Sequence, residues 1–128
     1  MNLRTLLEDI RERRGGDDDW PVFVNSLRKS PEGDWREIEG VRIPIETVTV
    51  AGEDVLLIGD SDSTPLSIAE LERRLTELPP DHGEFAVEYC AGMPIVVNDT
   101  EYHIDVPLNA VGRDKEARCY LIACLVAD

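Results

Sequence analysis

Asp60, Asp62 and Thr64 alternate along the loop that follows the apolar run 55–58, and their side chains are suited to chemistry. Carboxylate and hydroxyl oxygens bind Ca²⁺ and Mg²⁺, and a carboxylate can also act as a nucleophile or exchange a proton with a substrate. The spacing therefore raises two hypotheses for this loop. One is a divalent-metal site on these three residues, and the other is a catalytic site that uses the two aspartates.

The sequence around this loop argues against both hypotheses. Residues 55–64 resemble the nucleophile loop of haloacid dehalogenase-type phosphatases, yet Gly59 separates the apolar run from the first aspartate. Only 64 residues follow Thr64, too few for the doubly wound domain of that family. A calcium loop of the EF-hand type would need a glycine at Pro65 and a glutamate at Leu71. We therefore expect a polar loop of turns that leads into a helix.

The remaining residues of metal-binding or nucleophilic type lack supporting neighbours. Glu101, His103 and Asp105 would share one face of a strand, which the sequence indicates is solvated. The three cysteines show no zinc-like spacing and no tight glycine turn of the kind that exposes a nucleophile, so we expect them to be buried and reduced. The sequence therefore predicts no cofactor and no catalytic residue, and the protein is not expected to be an enzyme.

Charge is the strongest feature of the composition. The 128 residues include 27 acidic and 13 basic side chains, for a net charge of -14. Such a charge disfavours attraction to DNA, RNA or an anionic membrane. The excess is concentrated in residues 43–112, which hold fourteen carboxylates and two arginines, whereas residues 1–42 are at -2 and residues 113–128 are neutral.

This acidic middle span predicts a surface that binds a basic partner. Carboxylates held on a rigid scaffold can replace the phosphates that Arg and Lys side chains otherwise contact, giving fast and salt-sensitive association. The predicted function is a non-catalytic acidic interaction module of the inhibitor, immunity-protein or nucleic-acid-mimic type, the class to which anti-CRISPR proteins belong. The partner would present a basic protein surface, for example that of a nucleic-acid-binding protein. The candidate partner-binding residues are Glu53, Asp54, Asp60, Asp62, Glu70, Glu72, Glu77, Asp81, Glu84 and Glu88.

Hydrophobic periodicity predicts the elements that must position these residues. Apolar residues at helical spacing indicate an N-terminal helix over 2–14 that stops at Gly15, and Ser67 with Glu70 forms the pattern of a capping box for a helix over 67–78. Between them, 20–29 fits either a helix or a strand, with Trp20, Phe23, Leu27 and Trp35 as core anchors. Strands are expected at 41–50, 55–58, 85–90, 94–97, 102–108 and 118–126, with one of the turns at 112–115. A turn over 51–54 is expected to join the first two strands into a hairpin.

We therefore expect a single α+β domain over residues 1–128, with an N-terminal helical region at 1–16 and a sheet plus helix 67–78 within 41–128. Short connections favour one mainly antiparallel sheet of about five to six strands around the central amphipathic helix. The last strand is apolar on both faces, which places it in mid-sheet under a helix. The sequence has no apolar run near the ~18 residues of a membrane span. It also lacks the pattern of a signal peptide, so we predict a cytoplasmic protein.

Two other interpretations stay open from the sequence. The first is a small divalent-metal-dependent enzyme or metal-binding module centred on the Asp60 and Asp62 loop. The second is a salt-adapted structural subunit, because many carboxylates and few lysines also keep a protein hydrated at high ionic strength. A homodimer is compatible with each of these functions.

Overall fold

The computed structural model describes residues 1–37, 42–91, 95–97, 99–102 and 105–126. In this part of the chain there are two α-helices, one short 3₁₀ helix and eleven strands, so the predicted α+β class is confirmed. The helices are α1 (Leu3–Arg13) and α2 (Ile68–Thr76), and the 3₁₀ helix covers Pro80–Glu84. The strands are β1 (Val22–Lys29), β2 (Trp35–Glu37), β3 (Ile43–Pro44), β4 (Thr47–Ala51), β5 (Asp54–Gly59), β6 (Ala86–Ala91), β7 (Ile95–Val97), β8 (Thr100–Tyr102), β9 (Asp105–Pro107), β10 (Ala110–Asp114) and β11 (Cys119–Val126).

Helix α1 forms where the sequence predicted it. The side chain of Asn2 accepts a hydrogen bond from the Thr5 amide at 2.9 Å, which satisfies one of the free N–H groups of the first turn. Leu3, Leu6 and Ile10 lie on one stripe and are buried. The helix therefore contributes one apolar face to the core and ends in its arginine-rich last turn.

The two ends of the chain build one sheet, which we call the terminal sheet. Its strand order is β10-β11-β1-β2, and β3 also pairs with β1. Strands β1 and β11 run parallel, from Val22 opposite Tyr120 to Arg28 opposite Val126, and the other pairs are antiparallel. The predicted mid-sheet position of the last strand is confirmed, since β11 has a neighbour on each side.

The middle of the chain builds a second sheet, which we call the middle sheet. Its order is β4-β5-β6-β9, with β5 and β6 parallel and the outer pairs antiparallel. Helix α2 lies in the connection from β5 to β6, which is long enough for a parallel crossover. Strands β7 and β8 form a separate antiparallel hairpin.

The prediction of one sheet is therefore wrong, and although six of the eight described strand pairings are antiparallel, the two larger sheets each also contain a parallel pair. The described strands form mixed sheets, because two of the pairings join segments that are far apart in sequence. Short connections enforce antiparallel pairing only between consecutive strands. The partnership of β1 with β11 involves no short connection, and that of β5 with β6 spans a helix.

The strand predicted over 41–50 is two strands in two different sheets. Strand β3 pairs with β1 in the terminal sheet, and β4 pairs with β5 in the middle sheet. The chain crosses between the sheets at Ile45, which is fully buried. The apolar alternation changes phase at this crossing, from Ile43 and Ile45 to Val48 and Val50, and both pairs of side chains pack into the core. Val41 lies outside the described residues.

Other boundaries also differ from the predictions. Residues 22–29 are a strand, so the helical alternative for 20–29 is wrong. Strand β10 continues through 112–114, where a turn was expected, and the turn begins at residue 115. The strand predicted at 102–108 corresponds to β8 and β9, with residues 103–104 outside the described part. Of the four predicted core anchors, Trp20 packs against the core. Phe23 and Leu27 are half-buried outside the core cluster, and Trp35 is 44% exposed.

The core lies between the two sheets and the two helices. Helix α1 contributes Leu6 and Ile10, and α2 contributes Leu71 and Leu75, all essentially without exposure. One face of each sheet completes this cluster, with Tyr120 the largest fully buried side chain. Neither described helix has the length and apolar character needed to cross a membrane.

Helix α2 begins with half of the predicted capping box. The Ser67 hydroxyl accepts the Glu70 amide at 3.1 Å, as predicted. The Glu70 carboxylate, however, bonds to Arg73 and Arg74 on the next turn instead of returning to the Ser67 amide. The arginines attract it more strongly because a charge-assisted hydrogen bond is stronger than one to a neutral amide.

Replacing Ser67 with alanine should therefore destabilise the protein by about 1 kcal/mol, the usual effect of losing a helix N-cap. Urea unfolding followed by circular dichroism would measure the change. Ser67→Asp supplies another capping oxygen and serves as the control, and we expect it to keep wild-type stability. Equal losses in both variants would contradict the capping role.

Candidate functional site

Four of the ten predicted partner-binding carboxylates are paired with arginines of the same molecule. The hydrogen bonds from Arg73 and Arg74 lower the pKa of Glu70 to about 2. The carboxylates on and just after α2 therefore already form ion pairs with arginines of the same molecule. The pairs are Glu70 with Arg73 and Arg74, Glu72 with Arg14, Glu77 with Arg73, and Glu84 with Arg4.

The other predicted carboxylates do not form one continuous surface. Glu53 and Asp54 lie at the turn between β4 and β5, whereas Asp60 and Asp62 follow the opposite end of β5. Six residues of extended chain separate Asp54 from Asp60 by roughly 20 Å. Asp81 lies in the 3₁₀ helix, 3.8 Å from the His82 imidazole, and Glu88 is half-buried in β6.

The structure gathers three carboxylates at the end of β5, in what we call the acidic loop: Asp60, Asp62 and Glu46. Asp60 accepts the Asp62 amide at 2.9 Å, which makes a tight turn. The Ser63 hydroxyl accepts the Asp60 amide at 2.9 Å and donates to the Glu46 carboxylate at 2.8 Å. These bonds fix the loop against the middle sheet.

The acidic loop has no counter-charge among the described residues. None of its three carboxylates lies within 4.0 Å of an arginine, lysine or histidine nitrogen there, in contrast to the carboxylates of α2. Sequence reasoning found Asp60 and Asp62 but missed Glu46. Nothing in the local sequence signals that the crossing from β3 to β4 brings it beside a loop fourteen residues further on.

The described residues contain no group of three or more His, Cys, Asp or Glu side chains arranged to hold a metal ion. In the acidic loop, one oxygen of Asp60 already accepts a backbone amide, and Thr64 is exposed. His103 lies outside the described residues, and the side chains of Glu101 and Asp105 are not described. Burial raises the pKa of both the Cys119 and the Cys124 thiols, which opposes a nucleophilic role.

A groove of about 550 Å³ lies on the terminal sheet, on the face opposite the core. The residues that form its floor alternate along β1 and β11 with the residues that face the core, and most of them are apolar. Asn25 and Ala123 are buried there, and Leu27 and Leu121 are half-buried. Sequence analysis missed this groove, because it placed the last strand under a helix and did not expect an open apolar face on the other side of the sheet.

An arginine crosses this face of the sheet. The Arg42 guanidinium donates to Glu37 of β2 at 2.6 and 2.9 Å and to Asp114 of β10 at 2.8 Å. Since β2 and β10 are the outer strands, the bridge joins opposite edges. Hydrogen bonds from Arg42 lower the pKa of Glu37. Hydrogen bonds from the Ala117 amide and from Arg42 lower the pKa of Asp114. The charges on this side of the groove are therefore mutually satisfied.

Asn25 has an unused acceptor at the floor of the groove. The residue is 2% exposed, and its Oδ1 atom has no hydrogen-bond partner. The side-chain NH₂ group of Asn25 donates toward the Glu37 carboxylate and helps to lower the pKa of Glu37. A buried amide oxygen without a donor is costly, and such atoms are rare in folded proteins.

Asp17 is a buried carboxylate that the sequence analysis did not identify as a site. It is 7% exposed and accepts the Tyr120 hydroxyl at 2.7 Å, the Arg113 Nε at 2.8 Å and the Gly15 amide at 3.2 Å. The Arg113 guanidinium also lies 4.9 Å from the centre of the Trp20 ring, a cation–π arrangement. Every polar group here has a partner, so the cluster stabilises the fold and leaves no group for chemistry.

Comparison with known proteins identifies no family for the chain. No protein-family model matches it. No curated protein and no solved structure shows significant similarity to it.

Proposed function

We propose that the protein is a non-catalytic interaction module that engages a basic partner surface through the acidic loop of Glu46, Asp60 and Asp62. The observation that supports it is the contrast between this loop and α2. Helix α2 pairs its carboxylates with arginines of the same molecule, whereas the described residues provide no cation for the loop. The partner's Arg or Lys side chains would supply that cation.

The geometry of the loop suits rapid binding of a cationic surface. Its backbone is already fixed by the Ser63 hydrogen bonds, so little conformational entropy is lost when a partner binds. The net charge of -14 adds a long-range attraction that accelerates encounter with a basic protein. This combination is expected of an inhibitor or nucleic-acid mimic, whose carboxylates take the place of phosphates.

A labelled ten-residue arginine peptide can test this proposal by fluorescence anisotropy. We expect the affinity to fall steeply between 50 and 300 mM NaCl, because screening shortens the range of the attraction. The double variant Asp60→Asn with Asp62→Asn should bind about ten-fold more weakly, since two charges at the contact are lost. Asparagine at position 60 can still accept the amide that closes the turn, so the loop should keep its shape.

The matched control removes the same charge at the other end of β5, with Glu53→Gln and Asp54→Asn. We expect this variant to bind within two-fold of wild type. If the two double variants weaken binding equally, only the net charge matters, and the proposed site at the acidic loop is refuted. Binding that is indifferent to salt would refute the electrostatic basis itself.

A further inference from the structure

The two sheets differ in charge as well as in topology. The middle sheet and α2 come from the span that carries -12, whereas the terminal sheet comes from the two ends of the chain, at -2 and zero. Charged side chains around the groove face include both signs in nearly equal number. Those that line the groove are three acidic and three basic residues: Glu37, Asp114, Glu116, Arg42, Arg113 and Lys115.

An exposed tryptophan lies on this same face. Glu37 of β2 lies opposite Leu27 of β1, and both residues line the groove. Trp35 is two residues before Glu37 on the same strand, and alternate residues of a strand point to the same face. Trp35 therefore lies on the groove side of the sheet. It is 44% exposed, and the described part of the chain leaves no other large hydrophobic side chain exposed. Tryptophan is enriched at protein interfaces, where its ring buries a large apolar area.

The groove and the tryptophan offer complementary groups. The groove presents an apolar floor, in which Ala123 is buried and Leu27 and Leu121 are half-buried. An indole ring is an apolar body with a single N–H donor and no acceptor. The groove volume of about 550 Å³ lies within the range of sites that hold a small organic group.

We propose that this face is the contact between two copies of the chain, with Trp35 of each copy seated in the apolar groove of the other. A two-fold axis makes such a contact twice with the same residues, as in most homodimers. The balanced charges around the groove allow two molecules of net charge -14 to approach there, whereas contact through the acidic middle sheet would be repulsive.

Sedimentation velocity across 5 to 200 µM protein, at 50 and 500 mM NaCl, tests this proposal. We expect a monomer–dimer equilibrium that shifts toward the dimer at the higher salt, because salt screens the repulsion between two acidic molecules. This trend is opposite to that of arginine-peptide binding at the acidic loop. Failure of the dimer and failure of the proposed function are therefore distinguishable.

Variants at Trp35 test the contact itself. Trp35→Ala should raise the dimer Kd at least about 30-fold, the effect of removing a central interface anchor. Trp35→Phe keeps an aromatic ring of smaller area and should raise the Kd only about five-fold. Arg36→Ala, the exposed neighbour on the other face of β2, is the control and should leave the Kd unchanged. Circular dichroism checks that each variant is folded.

Two results would overturn the proposal. A protein that is monomeric at every concentration and salt level would leave the groove to another ligand. A dimer that Trp35→Ala does not weaken would place the contact on another surface.

Discussion

Replacing Gly59 with alanine should destabilise the protein by about 3 kcal/mol and lower Tm by about 10 °C. Gly59 ends β5 against the chain that leaves β3. A Cβ atom there would overlap the Pro44 carbonyl oxygen and lie 3.1 Å from the Pro44 carbonyl carbon and 3.3 Å from the Glu46 nitrogen. All three are backbone atoms of a segment that crosses between the sheets, so they cannot turn aside as a flexible side chain would. Urea unfolding followed by circular dichroism measures the loss.

Gly16→Ala is the matched control for this substitution. A Cβ on Gly16 meets no atom within 4 Å, and the residue lies in an exposed connection after α1. We expect its stability to stay within about 0.5 kcal/mol of wild type. A Gly59→Ala protein as stable as Gly16→Ala would show that the contact with Pro44 is loose. The acidic loop should also lose affinity in Gly59→Ala, because the Glu46 amide bonds to the Ile58 carbonyl at 2.8 Å beside this contact.

Local patterns were sufficient to predict the helices and the β4–β5 hairpin. The Asn2 and Ser67 caps, the apolar stripes and the turn at Gly52, with its positive φ of 60°, all act between residues close in sequence. The division into two sheets depends on contacts between distant segments. No local pattern reports that β1 lies beside β11 or that β3 and β4 belong to different sheets, and only the change of phase in the apolar residues after Ile45 marks the crossing.

The candidate sites show the same division. Asp60 and Asp62 are neighbours in sequence and were predicted together, whereas Glu46, Asn25 and Arg42 reach their surroundings through the topology of the sheets. Trp35 was expected in the core because it is large and apolar. It follows a short hairpin onto an edge strand, where the described chain only partly covers it.

Asp17→Asn should destabilise the protein by about 3 kcal/mol at neutral pH. Removing one partner of a buried ion pair leaves the other without compensation, and the effect is typically of this size. Here the Arg113 guanidinium would lose its carboxylate, to which its NH2 group bonds at 2.6 Å, and the Tyr120 hydroxyl would lose a charged acceptor. Asp19→Asn makes the same change at an exposed position two residues away, and we expect its urea midpoint to match that of wild type.

The pH dependence of this difference identifies the charge of Asp17 as its cause. Burial by itself would raise the pKa of Asp17, but the hydrogen bonds from Tyr120, Arg113 and the Gly15 amide outweigh it and hold the pKa below the ordinary 3.8. A carboxylate whose pKa is lower in the folded state stabilises the fold above its unfolded pKa, and this contribution is lost as pH falls through the folded value. The stability difference between wild type and Asp17→Asn should therefore be constant from pH 5 to 7 and shrink below about pH 4. A difference that persists unchanged to pH 2 would mean that shape, and not charge, makes Asp17 important, because asparagine cannot titrate.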